Sequence, residues 1–424
     1  MAIAVCSTAF VKLGHAQASS LGHSDLPIAV VPHPFGLRSR DEIREIAEKC
    51  VEQIASLQQE SNKLTDNLKS SDKEDIVSPG SRLFETLDDV DSINNLYRKK
   101  LWSDGLPIVA PTVERVGRML RATHRAPNEV AAMVAPGFGM ATVRSIAINA
   151  VLAGCDPDYL PILIAAVEAV AAPAFNLQAL QATTNPVAVW MIINGPAAQR
   201  LGINSTFNCL GEGAWANATI GRAMRLILRN VGSALPGGMD RATHGQPGKY
   251  SFCCAENEEA NPWEPLHVER GFPAQSSTVT VVGAEGNMNM NSHSKDAEDL
   301  LRAFAETMIH PPSNEYFHGG EPWLIIGPEH AEVMRRAGLT KRDVKKRLWE
   351  QSKMRADRLT KKDFAHMQNS RAGQFKEIKP ESMIPIARDP ADVSIIVAGG
   401  PGTHTVYIPC FGNSRAITRE VVYK

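Results

Sequence analysis

Val187-Ala188-Val189-Trp190-Met191-Ile192-Ile193-Asn194, closed by Gly195-Pro196, is the stretch that sets the fold class. It is rich in branched and aromatic residues, carries no charge and stops at a glycine–proline pair, so it reads as a buried strand. A strand apolar on both faces needs cover on both sides, and its neighbours supply it. Residues 216–230 place Ile220, Ala223, Met224, Ile227 and Leu228 on one side of a helix and Arg222, Arg225 and Arg229 on the other. Upstream, 141–153 ends at Gly154, and 157–172 opens at Asp156-Pro157. Both are helices hydrophobic nearly all round, and such helices belong inside.

The alternation continues outward. Strands are predicted at 278–282, 323–326, 393–397 and 405–408, with helices at 112–123 and 296–308, after Gly327-Pro328-Glu329-His330, and within the charged stretch 340–370. Asp104-Gly105-Leu106-Pro107 reads as a turn feeding a strand, and Met288 to His293 as a loop. The pattern predicts an α/β protein, a layered sheet or sheets with helices on both faces. No internal repeat is legible, although strand-then-glycine-loop units recur at Gly137-Phe138-Gly139 and Gly399-Gly400-Pro401-Gly402. Either loop could cradle a phosphate or carboxylate, but neither is a dinucleotide or Walker signature.

At the N-terminus, strand 2–6, helix 8–21 and strand 27–31 form an incomplete βαβ unit, and a helix follows at 40–57. The predicted organisation is a small βαβ domain at 1–58, a polar linker at 59–81, and a large α/β domain at 82–424 with a sub-boundary near 275.

Lys and Arg total 45 against 46 Asp and Glu, which leaves no field to hold nucleic acid or an anionic membrane. The most apolar stretch, Tyr159 to Phe175, is interrupted by Glu168 and two prolines and is too short to span a bilayer. Seven cysteines without zinc spacing fit a reducing compartment, so a cytoplasmic location is expected. A small-molecule partner, and self-association into a homo-oligomer, fit this composition best.

The densest polar constellation runs from Asn208 to Gly271. Cys253 and Cys254, with His244, Glu256 and His267 nearby, offer a thiolate, a base and an orienting acid. The alternative is two buried small hydrophobes. Backbone N–H groups around Gly211, Glu212 and Gly213 would serve as oxyanion donors, and Arg222 and Lys249 would hold a polar substrate. Arg222, Arg225 and Arg229 are equally a solvated helix face. His244, Glu256 and His267 lack metal-ligand spacing, so no metal is expected, and no cofactor is identified.

Val5-Cys6-Ser7-Thr8-Ala9-Phe10, then Ala16-Gln17-Ala18, Asp25-Leu26-Pro27-Ile28 and Val30-Val31-Pro32-His33-Pro34, resembles the C-terminal half of the UGSC-type (seleno)protein domain over about residues 2–57. In that family a strand ends in a cysteine, a helix follows, and a second strand runs into Pro-His-Pro. The resemblance makes Cys6 and His33 secondary site candidates and implies a thiol or selenol redox role. The naming motif, selenocysteine or cysteine followed by Gly-Ser-Cys, is expected upstream of Val5 and does not occur in this chain.

Three functions are consistent with these readings. The leading one is an enzyme with thiol-based redox or nucleophilic chemistry on a small polar metabolite. The others are a non-catalytic ligand-binding or assembly subunit whose cleft recognises a small anion, and a thiol-independent hydrolase or lyase.

Overall fold

A computed structural model describes residues 2–35, 38–65 and 83–424. The N-terminal segment is the predicted βαβ unit. Strand β1 (Ala4–Ser7), helix α1 (Val11–Ser20) and strand β2 (Ile28–Val31) are followed by helix α2 (Arg40–Thr65), and the two strands pair in parallel. Ser39 opens α2 reciprocally. Its hydroxyl accepts from the Glu42 N–H, and the Glu42 carboxylate accepts from the Ser39 N–H. Helix α2 continues to Thr65, so residues 59–65 are helical where a linker was predicted, and 66–81 lie outside the described residues.

The large body begins with α3 (Val90–Lys99), α4 (Val113–Leu120), the hairpin β3 (Val130–Val134) and β4 (Gly139–Thr142), α5 (Val143–Ala153), α6 (Leu160–Val170) and α7 (Leu177–Ala182). Then come β5 (Ala188–Asn194), α8 (Pro196–Arg200), α9 (Trp215–Asn230), β6 (Cys253–Ala255), α10 (Leu266–Glu269) and β7 (Thr278–Ala284). Every residue of β5 is buried, as its sequence requires. Helix α5 stops at Gly154, whose φ of 88° lies in the left-handed region that favours glycine.

The chain continues with β8 (Met288–Asn291), where a loop was predicted, then α11 (Ala297–Met308), α12 (Asn314–His318), β9 (Trp323–Ile326), α13 (Pro328–Arg336) and α14 (Lys341–Gln351). A short pair, β10 (Met354–Arg355) and β11 (Met383–Ile384), flanks α15 (Lys361–Ser370). Strands β12 (Ser394–Val397), β13 (His404–Ile408) and β14 (Ile417–Glu420) complete the chain.

Two four-stranded sheets organise the body, in the orders β6-β5-β7-β14 and β12-β9-β13-β8. Because side chains alternate across a strand, each central strand feeds two cores. Val189, Met191 and Ile193 face α5, α6 and α9, whereas Ala188, Trp190 and Ile192 join Trp323, Ile325, Ile396 and Ile408 in a core between the sheets. Leu324 and Ile326 face α11 and α14. The layers therefore run helix, sheet, sheet, helix. Among the described residues no single helix is long and apolar enough to cross a membrane, and the bent pair α6 and α7 lies in the first core.

The two sheets repeat one plan, although no internal repeat is legible in the sequence. Each central strand has a parallel neighbour on one side and an antiparallel neighbour on the other, with a further antiparallel strand beyond. Trp190-Met191-Ile192-Ile193 matches Trp323-Leu324-Ile325-Ile326, and each run passes through Gly-Pro into a helix. In register, Trp190 faces Val282 and Trp323 faces Ile408, while Met191 faces Cys253 and Leu324 faces Ile395. Even the strand exits agree, since the N–H of Glu256 donates to Ile193 O and that of Ala398 to Ile326 O, both at 3.2 Å. The matched tryptophans meet edge to face, their centroids 5.6 Å apart, in the middle core.

Candidate functional site

A cleft of about 860 Å³ opens where β9 and β12, the parallel pair of the second sheet, end. Open α/β sheets bind ligands at such carboxyl ends. Four connections build it: Thr206-Phe207 after α8, Asn257 after β6, His293 to Lys295 after β8, and Gly399 to Thr403 after β12; the first turns of α13 line it as well. Gly400 has no side chain for a physical reason, because a Cβ there would lie 2.3 Å from the Phe207 ring. Phe207 thus covers the glycine loop, and with Val333 and Pro401 it makes one wall of the cleft apolar.

The polar groups are fixed from behind. Buried His330 has Nε2 2.9 Å from Ser292 O, which can only accept, so Nε2 carries the proton and Nδ1 accepts from Thr405 Oγ1 at 2.8 Å. Burial holds its pKa below the ordinary histidine value, and nearby His404 and His293 add to this against the opposing pull of the Ser292 carbonyl. His293 itself is exposed, with Nδ1 2.8 Å from Thr403 Oγ1 and the ring at the cleft. Lys295 lines the opening and has no ion-pair partner among the described residues, whereas Arg336 is engaged by Glu332 at 2.7 Å. Glu329 stands exposed at the same mouth.

The residues predicted from sequence are placed elsewhere. Cys253 faces the helical core on one side of β6 and Cys254 faces the core between the sheets, as strand alternation demands. Burial drives the Cys253 thiol up, and the neighbouring Cys209 thiol together with burial holds Cys254 well above its ordinary value. Neither is a poised thiolate. Their neighbour His244 is exposed on a loop that does not line the cleft.

Glu256 and His267 do come close, through Glu258, but inside the protein. Glu256 accepts from Asn194 at 2.6 Å, Asn261 at 2.9 Å and the Leu266 N–H at 2.8 Å. Burial raises its pKa against the opposing charge of Lys341. His267 is fully buried, with Nε2 3.2 Å from Ala274 O and Nδ1 3.7 Å from Glu258. This network ties the start of α10 to the end of β5.

The predicted substrate-holding residues are structural as well. Arg222 grips Asp104 with two bonds, 2.8 and 2.9 Å, and donates to Pro107 O. Lys249 and Arg225 both hold buried Asp240, at 2.9 and 2.5 Å. Gly211, Glu212 and Gly213 form an exposed loop stitched by Asn208, whose amide donates to Glu212 O. None of the three lines the cleft.

In the N-terminal unit Cys6 turns toward α1, against Gly14, while the adjacent Ser7 turns away to place its hydroxyl 3.1 Å from His33 Nδ1. His33 N–H donates to Thr8 Oγ1. Cys6 and His33 thus flank the same strand ends, and it is Ser7 and Thr8 that the histidine bonds.

Residues 1–60 match the model of the UGSC family. The N-terminal segment is similar to that family. The match takes in the whole parallel strand pair and most of α2, so the similarity covers the βαβ unit and much of its following helix. No curated protein and no solved structure matches the chain.

The cleft residues His293, Lys295, His330, Asn257 and Phe207 were not singled out from the sequence. The available signal was the recurrence of glycine loops after strands, which did point to Gly399–Gly402.

Proposed function

We propose that this chain binds a small polar metabolite in the cleft at the ends of β9 and β12, and that any chemistry there uses acid–base groups rather than a thiol. What carries this reading is the convergence on one cavity of His293, positioned by Thr403, with Lys295, Asn257 and the backbone of Gly399 and Gly400, in a place where no cysteine of the described residues lies. A histidine at a cleft with one ring nitrogen anchored by a neighbouring hydroxyl is arranged as a proton carrier. The seven free thiols remain consistent with a reducing, cytoplasmic setting, with Cys6 the least buried of them.

Ligand-induced thermal stabilisation across a panel of small polar metabolites tests the reading. The expected result is a rise in Tm with at least one member, lost in Asn257→Ala and Lys295→Ala and kept in Cys254→Ala. Stabilisation that survives both cleft substitutions, or that depends on Cys254, contradicts it.

A further inference from the structure

The repeated sheets give the cleft an internal comparison. At the end of the first sheet the equivalent place is filled by the protein's own acids. Glu258 accepts from the Gly195 N–H at 2.6 Å and from Asn194 at 3.0 Å, while Glu256 accepts from Asn194 and the Leu266 N–H. Gly195 begins α8, and its backbone lies so near Ser276 O that a Cβ would approach to 2.1 Å.

The second sheet has a similar strand-to-helix turn without the acids, and without a counterpart of Asn194, because Gly327 follows Ile326 directly. Gly327 begins α13, and a Cβ there would lie 2.3 Å from His404 O in β13, a close approach comparable to that of Gly195 to Ser276 just ahead of β7. Counting from the matched strand exits, Glu256 corresponds to Ala398 and Glu258 to Gly400. Neither residue can send a carboxylate back to the strand end. The Gly327 N–H has only a long contact of 3.4 Å to Thr405 Oγ1. Where the first half holds carboxylates, the second half holds the cleft.

Resting on the cleft reading above, we infer that the ligand is a small carboxylic acid with an apolar body, its carboxylate taking the place that Glu258 fills in the first half. Lys295, which has no ion-pair partner among the described residues, receives the acid, because the charge on donor and acceptor strengthens their hydrogen bond. Phe207, Val333 and Pro401 receive the body. Glu329 and Glu332 at the mouth disfavour a doubly charged phosphate more than a singly charged carboxylate.

Calorimetric titration with phenylacetate, its neutral isostere phenylacetamide, and phenyl phosphate tests this on the full chain. Phenylacetate should bind about tenfold or more tightly than the amide and more tightly than the phosphate, the difference expected of charge-assisted hydrogen bonds. Lys295→Ala, an exposed substitution that leaves the fold alone, should remove most of that preference. Equal binding of acid and amide, both weakened by Asn257→Ala, would overturn the carboxylate and leave the cleft standing, as would a preference for the phosphate. Binding of neither aromatic acid nor amide, or binding indifferent to both substitutions, would overturn the cleft itself.

Discussion

Glu315 shows at the scale of one residue how this protein uses buried acids for structure. It is fully buried, with one oxygen accepting from Tyr407 and the other from the Cys410 N–H at 3.1 Å. Burial pushes its pKa up to about 8, against the opposing effect of the Tyr407 hydroxyl. A carboxyl raised in the folded state keeps a proton that the unfolded chain releases near 4.5, so it favours folding less and less as pH rises from about 4.5 to about 8. Glu256, Glu285 and Glu321 are raised too and act in the same direction. Denaturant melts at pH 5 and 8.5 should therefore show wild type losing more stability than Glu315→Gln, by on the order of a few kcal/mol. Equal losses in the two proteins would show that Glu315 is not protonated in the fold.

The distance between the polar residues singled out from the sequence and the cleft has its cause at this scale as well. Cysteine, histidine and acid density between Asn208 and Gly271 is a real property of the sequence, but a buried structural network and an active site draw on the same residue types. Burial separates them, and burial is not written in the local pattern. Glu256, His267, Arg222 and Lys249 all have partners in the protein itself.

At the level of elements, the strong periodic segments were legible. The strand at 187–194, the helix at 216–230 and the N-terminal βαβ unit stand where their patterns put them, because length and one-sided hydrophobicity leave few alternatives. The short elements were not. Strand β6 is three residues, Cys253–Ala255, held by its parallel pairing with Met191 to Ile193, and nothing in Cys-Cys-Ala announces a strand. Helix α9 carries a test of the polar reading. Its Arg225 and the Lys249 turn converge on Asp240, all three side chains at most 13 % exposed. Asp240→Asn leaves two cations without their counter-charge and should cost about 3–5 kcal/mol in equilibrium unfolding. A cost under about 1 kcal/mol would place this cluster with ordinary surface pairs.

For the whole molecule, the two sheets share one plan, and the first half's own acids fill what the second half leaves open. The shared plan was hidden in the sequence because little more than Trp-x-Ile-Ile and a following Gly-Pro is common to both sheets, and the extra Asn194 shifts even that by one residue. Hydrophobic alternation alone is shared by most buried strands and identifies no pair. Trp190 and Trp323 pin the sheets together, so Trp190→Ala and Trp323→Ala should each destabilise by about 3–5 kcal/mol. The double variant should lose less than the sum, by about 0.5–1.5 kcal/mol, the coupling of an edge-to-face pair. Strict additivity would mean that the contact contributes nothing.

Hydrogen–deuterium exchange with and without phenylacetate locates the working surface most directly. Slowed exchange should appear together at 292–296, 327–333 and 399–403, the segments that enclose the cleft at the ends of β9 and β12. Protection confined to 208–250, around the glycine loop, His244 and Lys249, with the three cleft segments unchanged, would contradict the account.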